Sequence, residues 1–200
     1  MSYIVWDLET TGFSPEKDEV IEIGIMVVDG DTVEKKSWLL NHDIEIPEKI
    51  TELTTITKDL LDSEGQEPAK CLAEFVEALK GAEKNITHNG INFDMPFILE
   101  ALKRHLNYTP DQLGEINAHL LTTTVDTCVM IKGRKLKMPM ETGEEFRHYA
   151  QRVNSVRAKG VKSNLTLTCE ELQIPIDEAT RHRAMGDVEL THKVYLAIQV

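Results

Sequence analysis

Two hundred residues, 41% of them hydrophobic, suit one ordinary globular domain that can bury a core without covalent staples. The formal charge of −12 argues against a protein that grips nucleic acid through a bulk basic footprint. The apolar runs are too short for a membrane span, the N-terminus lacks a signal peptide's layout, and Cys71, Cys128 and Cys169 lie far apart with no CxxC pair, which points to core filling by reduced thiols in a cytoplasmic setting.

Tyr3 to Leu8 reads as a strand, mostly apolar and therefore central. Two acids, Asp7 and Glu9, stand at its end at i and i+2, a spacing that leans both toward the same face. Like charges a few ångströms apart repel unless one takes a proton or both share a cation. The pair is thus either a solvated strand end or half of a metal site. GFSPEK, residues 12–17, is a turn. Val20–Val28 is β-rich, Asp29-Gly30-Asp31 makes a hairpin-type turn, and a third strand follows through Val33 and Trp38 to Leu40. The opening forty residues therefore read as a three-strand antiparallel meander.

The period then changes. Leu72, Phe75, Val76 and Leu79 fall at helical spacing within Ala69–Leu79. Asn85–His88 is a short strand and Asn89-Gly90 a turn. Phe93 to Leu106 places Phe93, Phe97, Ile98, Ala101, Leu102 and Leu106 on one helical face, with Pro96 early enough to be tolerated. Thr123–Asp126 is a further short strand, leading into a helical turn at Thr127–Ile131. Residues 132–162 carry nine basic side chains against three acidic ones, with Gly133, Pro139, Gly143 and Gly160 breaking the pattern. This strip reads as a basic insertion, helical around Glu144–Val153, that either guides a nucleic-acid backbone or is a solvated loop. Ser163 or Asn164 caps a helix through Leu172, and Ala184–Val200 is a strongly periodic final helix. A meander followed by alternating helices and short strands implies an α/β fold with a mixed sheet.

Two more acids stand out by context. Asp94 opens a helix after THNGINF, and Asp187 lies near the start of the last helix in HRAMGDVELT, five residues after His182. Each has an ordinary explanation, since first-turn acids are favoured by the helix dipole and a lone histidine is more often capped than catalytic. Together they form the inventory that phosphodiester chemistry needs. Carboxylates can hold a pair of divalent cations roughly 3.5–4 Å apart against the attacking and leaving oxygens. A histidine can take the proton of the attacking water near neutral pH.

On these residues the chain resembles the DEDD-type (DnaQ-like) 3′→5′ exonucleases, in their histidine-bearing branch. DLETTG fits the first family motif and HNGINFD the second, while HRAMGDVELT meets the HxAxxDxxxT pattern of the third throughout. Val125-Asp126-Thr127 and Leu165-Thr166-Leu167 fall where relatives carry DT and an L-x-x-L-type helix. The resemblance implies a ribonuclease H-like fold, with residues 1–200 as a single exonuclease domain. It implies two divalent ions, Mg²⁺ or Mn²⁺: Asp7, Glu9 and Asp187 would bind one, Asp7 and Asp94 the second. His182 would be the general base, because Arg183 stands where the tyrosine-bearing branch has its tyrosine. The main chain at Thr10 and Thr11 would receive the terminal 3′-hydroxyl, Leu8 and Phe13 would pack on the last bases, and Asn89 and Phe93 would shape the pocket. The implied substrate is a nucleic-acid 3′ end, DNA ahead of RNA, released as nucleoside 5′-monophosphates, and a DNA polymerase is a candidate partner. An exoribonuclease, or a non-catalytic module docked to a polymerase, are the alternatives.

Overall fold

The computed structural model describes residues 2–199. The meander is present as β1 (Ser2–Thr10), β2 (Val20–Asp29) and β3 (Thr32–Leu39). Two short strands, β4 (Lys84–Thr87) and β5 (Thr124–Asp126), join it to give the order β3-β2-β1-β4-β5. β1 is antiparallel to β2 but parallel to β4, and β4 is parallel to β5. The sheet is therefore mixed, and its three parallel strands end at the same edge.

Alternation along β1 assigns the two faces. Ile4, Trp6 and Leu8 pack against α3 (Pro68–Gly81) and α4 (Asp94–Leu106), with Trp6 meeting Phe75 edge-on at 5.5 Å between ring centroids. Val5 faces the other way, against Val188 and Tyr195 of α9 (Ala184–Ile198). Asp7 and Glu9 share the parity of Val5, so they project toward the start of α9 rather than into the α3–α4 core.

The anticipated strands and the helices around Ala69–Leu79, Phe93–Leu106 and the last segment are all found. The last helix, expected to run to Val200, ends at Ile198 with Gln199 as its cap, and Val200 lies outside the described residues. Asn164, rather than Ser163, caps α8 (Leu165–Glu171): its side chain accepts from the Leu167 N–H at 3.0 Å. The turn after β5 extends to α6 (Thr127–Lys135), and the helical part of the basic strip is α7 (Phe146–Ser155).

Three helices carry too little period to be read in sequence. α1 (Glu48–Thr54) and α2 (Lys58–Glu64) are only seven residues long, less than a full hydrophobic repeat. α5 (Pro110–Thr123) buries only Ile116 and Leu120, yet it starts with a complete capping box between Thr109 and Gln112 and with Pro110 in its first turn. Among the described residues no helix is long and apolar enough to cross a membrane.

Candidate active site

The site forms at the carboxyl edge of the parallel strands, the usual place for ligands in open α/β sheets. β1 delivers the first two acids. Its register against β2 shifts between Glu9 and Thr10, a bulge of the kind that re-aims side chains beside functional sites. Beyond it the chain folds back on itself: Thr11 N–H donates to the Glu19 carbonyl at 2.9 Å, and Glu19 N–H donates to Thr11 Oγ1 at 2.9 Å. Thr10 Oγ1 donates to the Gly12 carbonyl at 2.7 Å. Both threonine hydroxyls are thus spent inside the loop. Phe13 is 81% exposed and meets Phe93 edge-on at 6.2 Å, which in turn packs on Phe97. An exposed phenylalanine anchored at one edge is a ready stacking platform.

The second motif is shaped by Asp126. Fully buried at the end of β5, its carboxylate accepts from the N–H groups of Asn89 (2.8 Å), Ile91 (3.2 Å), Cys128 (2.9 Å) and Val129 (3.3 Å). Burial pushes this carboxyl up to about 6, and the four donors oppose that rise. Asp126 thereby caps α6 and fixes the turn through Asn89, which adopts the left-handed conformation at φ 68°. That turn sets the start of α4, where Asp94 is 3% exposed.

The third motif is docked by two features of β2. Glu22, 2% exposed, accepts from Arg183 Nε at 3.0 Å, Arg183 Nη2 at 2.7 Å and the Ala184 N–H at 2.9 Å. The neighbouring Gly24 lets α9 approach: a Cβ there would lie 2.8 Å from the Ala184 carbonyl carbon and 2.9 Å from the Met185 nitrogen. Gly24 is also the register partner of Asp7. One contact therefore brings the first turn of α9, with Asp187, onto the strand pair that carries Asp7.

The result is convergence. Asp7, Glu9 and Asp187 each place a carboxylate oxygen within 4.8 Å of the others. Asp94 lies outside that triple, although its charge is one of those that raise Asp7. Burial, and then repulsion from Asp94, Asp187 and Glu9, holds the Asp7 carboxyl well above the usual carboxylate range. Burial and the Asp187 charge push Glu9 up to about 8, burial and Asp126 push Asp94 up to about 7, and burial raises Asp187. Asp187 Oδ1 is buried with no hydrogen-bond partner. A cavity of about 400 Å³ opens over Asp7 and Asp187, with Asn89, Asn164 and Arg181 in its wall. A larger cavity of about 710 Å³ lies between α6, α7 and the end of α9 and touches none of Asp7, Glu9, Asp94, His182 and Asp187.

The family model for exonucleases, RNase_T, matches residues 4–135. The chain belongs to the exonuclease family. The chain has the ribonuclease H-like fold of DnaQ-like exonucleases. It is 30% identical over 195 residues to a PolC-type DNA polymerase III of Clostridium perfringens, covering 96% of this chain but 11% of that protein. It is 29% identical over 198 residues to the 3′-5′ exonuclease DinG of Bacillus subtilis, covering 98% of this chain and 17% of the relative. The chain thus spans a small fraction of those longer proteins. Among solved structures, E. coli exonuclease I in complex with a dT13 oligonucleotide superposes with a TM-score of 0.69 at 16% identity, over 98% of this chain and 40% of that one, a likeness of fold.

His182 sits at φ 62°, in the left-handed region, on the loop before α9. Burial, with help from the adjacent Arg181 charge, lowers its pKa, so the imidazole is neutral at physiological pH. Arg183 is committed to Glu22. Sequence reasoning passed over Arg181, whose guanidinium pairs with Asp187 and donates to Thr166 Oγ1 at 3.1 Å. It also passed over Glu22, Gly24 and the four-donor role of Asp126. Arg181 could have been flagged as a charge beside the third motif; Glu22 reads in sequence as one more strand residue. In the basic strip, Arg134 is held by the Ile198 carbonyl, Lys135 pairs with Glu171 at 2.7 Å, and Arg152 pairs with Glu144 at 2.8 Å. Much of that positive charge is spent inside the chain.

Proposed function

We propose that this domain hydrolyses phosphodiester bonds at the 3′ end of DNA, releasing nucleoside 5′-monophosphates. The observation that carries the reading is the meeting of Asp7, Glu9 and Asp187 within 4.8 Å with an unpartnered, buried Asp187 Oδ1. Crowded carboxylates of raised pKa are short of positive charge, and hard divalent cations supply it through oxygen ligands. Asp7, Glu9 and Asp187 fit one Mg²⁺ or Mn²⁺, and Asp7 with Asp94 a second. Such ions polarise the phosphoryl oxygens and stabilise the charge that develops on the attacking and leaving oxygens.

The chain's own groups do the rest. His182, neutral at working pH, takes a proton from the attacking water as its oxygen bonds to phosphorus and the bond to the preceding 3′-oxygen breaks. The main chain at Thr10 and Thr11 receives the terminal 3′-hydroxyl. The exposed Phe13 packs on the terminal bases and Asn89 and Phe93 bound the pocket, whereas Leu8, expected beside Phe13, is 4% exposed in the α3–α4 core and supports that wall from inside. Residues 1–200 act as one exonuclease domain with a basic insertion at 132–162. DNA is favoured because a polymerase, DinG and an oligo-dT complex are among its relatives and structural neighbours. A DNA polymerase is the candidate partner, with proofreading the role. Free thiols, two of them buried, fit a reducing cytoplasmic setting.

Incubating the protein with matched single-stranded DNA and RNA oligonucleotides, with and without Mg²⁺, tests this reading. The expected result is Mg²⁺-dependent release of 5′-monophosphates from DNA that Asp7→Ala and Asp187→Ala abolish. Cleavage of RNA alone would favour the exoribonuclease, and cleavage of neither would leave only the binding module.

A further inference from the structure

At the far end of α4 a second group of ligating side chains converges. Glu19, from the segment entering β2, His42, from the chain just after β3, and His105, in the last turn of α4, bring one ligand atom each within 4.8 Å of one another. Glu19 Oε2 lies 3.0 Å from His105 Nε2 and 3.6 Å from His42 Nδ1. A tetrahedral zinc with bonds of about 2.0–2.2 Å sets its ligand atoms about 3.3 Å apart, and these two separations bracket that value.

His42 supplies the independent observation. Its side chain is 4% exposed, and Nε2 lies 2.6 Å from the Val20 carbonyl, so Nε2 carries the proton and Nδ1 presents its lone pair. That Nδ1 is buried with no hydrogen-bond partner, and it faces the Glu19 carboxylate. Two electron-rich atoms face one another with nothing positive between them. An imidazole whose far N–H is fixed by a backbone carbonyl is the arrangement in which histidines ligate metals. The carboxylate is oriented as well, since Oε1 accepts from Arg104 while Oε2 is hydrogen-bonded to His105 Nε2 at 3.0 Å, through a proton that a bound cation would displace, and faces His42 Nδ1. The Arg104 charge tempers cation affinity without occupying the ligand oxygen.

We propose that Glu19, His42 and His105 form a structural binding site for a borderline divalent cation, Zn²⁺ by its donor set, with water completing the tetrahedron. Two imidazoles and one carboxylate suit zinc, whereas Mg²⁺ takes oxygen ligands. The site is separate from the catalytic acids: His105 stands eleven residues along α4 from Asp94, about 16 Å at 1.5 Å per residue. Its metal would tie β2 and the chain after β3 to the helix that carries Asp94. The same corner already gathers the loop behind Phe13, because Arg104 donates to the Pro15 carbonyl at 2.9 Å and to the Asp18 carbonyl at 3.3 Å.

The test reads binding rather than turnover. In a chain carrying Asp7→Asn and Asp187→Asn, which takes away two of the four competing acids and breaks up their cluster, calorimetric titration of the metal-stripped protein with ZnCl₂ should give one bound equivalent that excess Mg²⁺ does not displace. Adding His105→Gln, at a part-exposed position, should weaken that binding beyond the roughly 10–100-fold that even an outer-shell change costs. The ring-nitrogen NMR signals of His42 and His105 should move together on zinc addition, which needs no further substitution. No zinc bound in the Asp7→Asn, Asp187→Asn chain, unchanged affinity with His105→Gln, or unmoved ring signals would each overturn the proposal.

Discussion

Arg181 and Asp187 form an ion pair inside the cluster of acids, with Arg181 Nη1 also 3.2 Å from His182 Nδ1. One guanidinium thereby neutralises part of a site otherwise crowded with carboxylates, and a divalent cation at Asp187 competes with it directly. Arg181→Gln should therefore bind Mg²⁺ more tightly in a calorimetric titration. The metal-free variant should lose about 1–3 kcal/mol of stability in a thermal melt, the cost of leaving a buried acceptor unpaired. An unchanged Mg²⁺ affinity would show that the guanidinium does not compete.

The acids also make stability depend on pH with a definite sign. Their folded pKa values are raised, to about 8 for Glu9 and about 7 for Asp94, so the folded chain binds more protons than the unfolded one above the ordinary carboxylate range. Stability of the metal-free protein must then fall as pH climbs toward about 8. His42, with its buried side chain, and the part-buried His182, both with lowered pKa, give the opposite slope only below about pH 6.5. Between pH 7 and 8, melts should show a decline that is weaker in Asp7→Asn and that Mg²⁺ reverses, with protons released on binding.

His182 occupies a left-handed backbone position, which asparagine tolerates well. His182→Asn should keep the loop and Mg²⁺ affinity while turnover drops roughly 10²–10⁴-fold, the usual contribution of a general base. Full activity at neutral pH would remove His182 from that role.

Gly24 tests how α9 is docked. Gly24→Val forces atoms into the Ala184–Met185 backbone, a displacement of main chain that side-chain rotation cannot relieve. Overpacking of this kind costs about 1–3 kcal/mol. The informative outcome is a loss of Mg²⁺ affinity alongside the lower melting temperature, because Asp187 moves with the helix.

Phe13 is the opposite case, exposed and held within the chain only at its edge by Phe93. Phe13→Ala should leave the melting temperature unchanged and raise KM for an oligonucleotide about 5–150-fold, equivalent to about 1–3 kcal/mol for one stacked base. A KM equal to that of the parent would discard Phe13 as a platform.

Much of this protein was legible in its sequence, for local reasons. The meander shows because alternation and the Asp29-Gly30-Asp31 turn are properties of adjacent residues. Asp7 and Glu9 could be placed on one face because the period of a strand is two, and the motifs supplied Asp94, His182 and Asp187 by type and spacing. α1, α2 and α5 escaped because short or narrowly buried helices leave little period to detect.

Tertiary structure decided what no local pattern encodes: which groups from distant segments share one small volume. Gly24 and Glu22 are unremarkable strand residues until α9 packs on them, and only then do they set the distance from Asp187 to Asp7. Asp126 becomes the organiser of the second motif only when β5 lies beside β4 and aims four N–H groups at one buried carboxylate. Glu19, His42 and His105 are spread over 87 positions of chain and meet because β2, the segment after β3 and the end of α4 form one corner. Sequence determined the chemical inventory and the local geometry of each segment. The fold, by burying charges together at low dielectric, determined which of them act on one another.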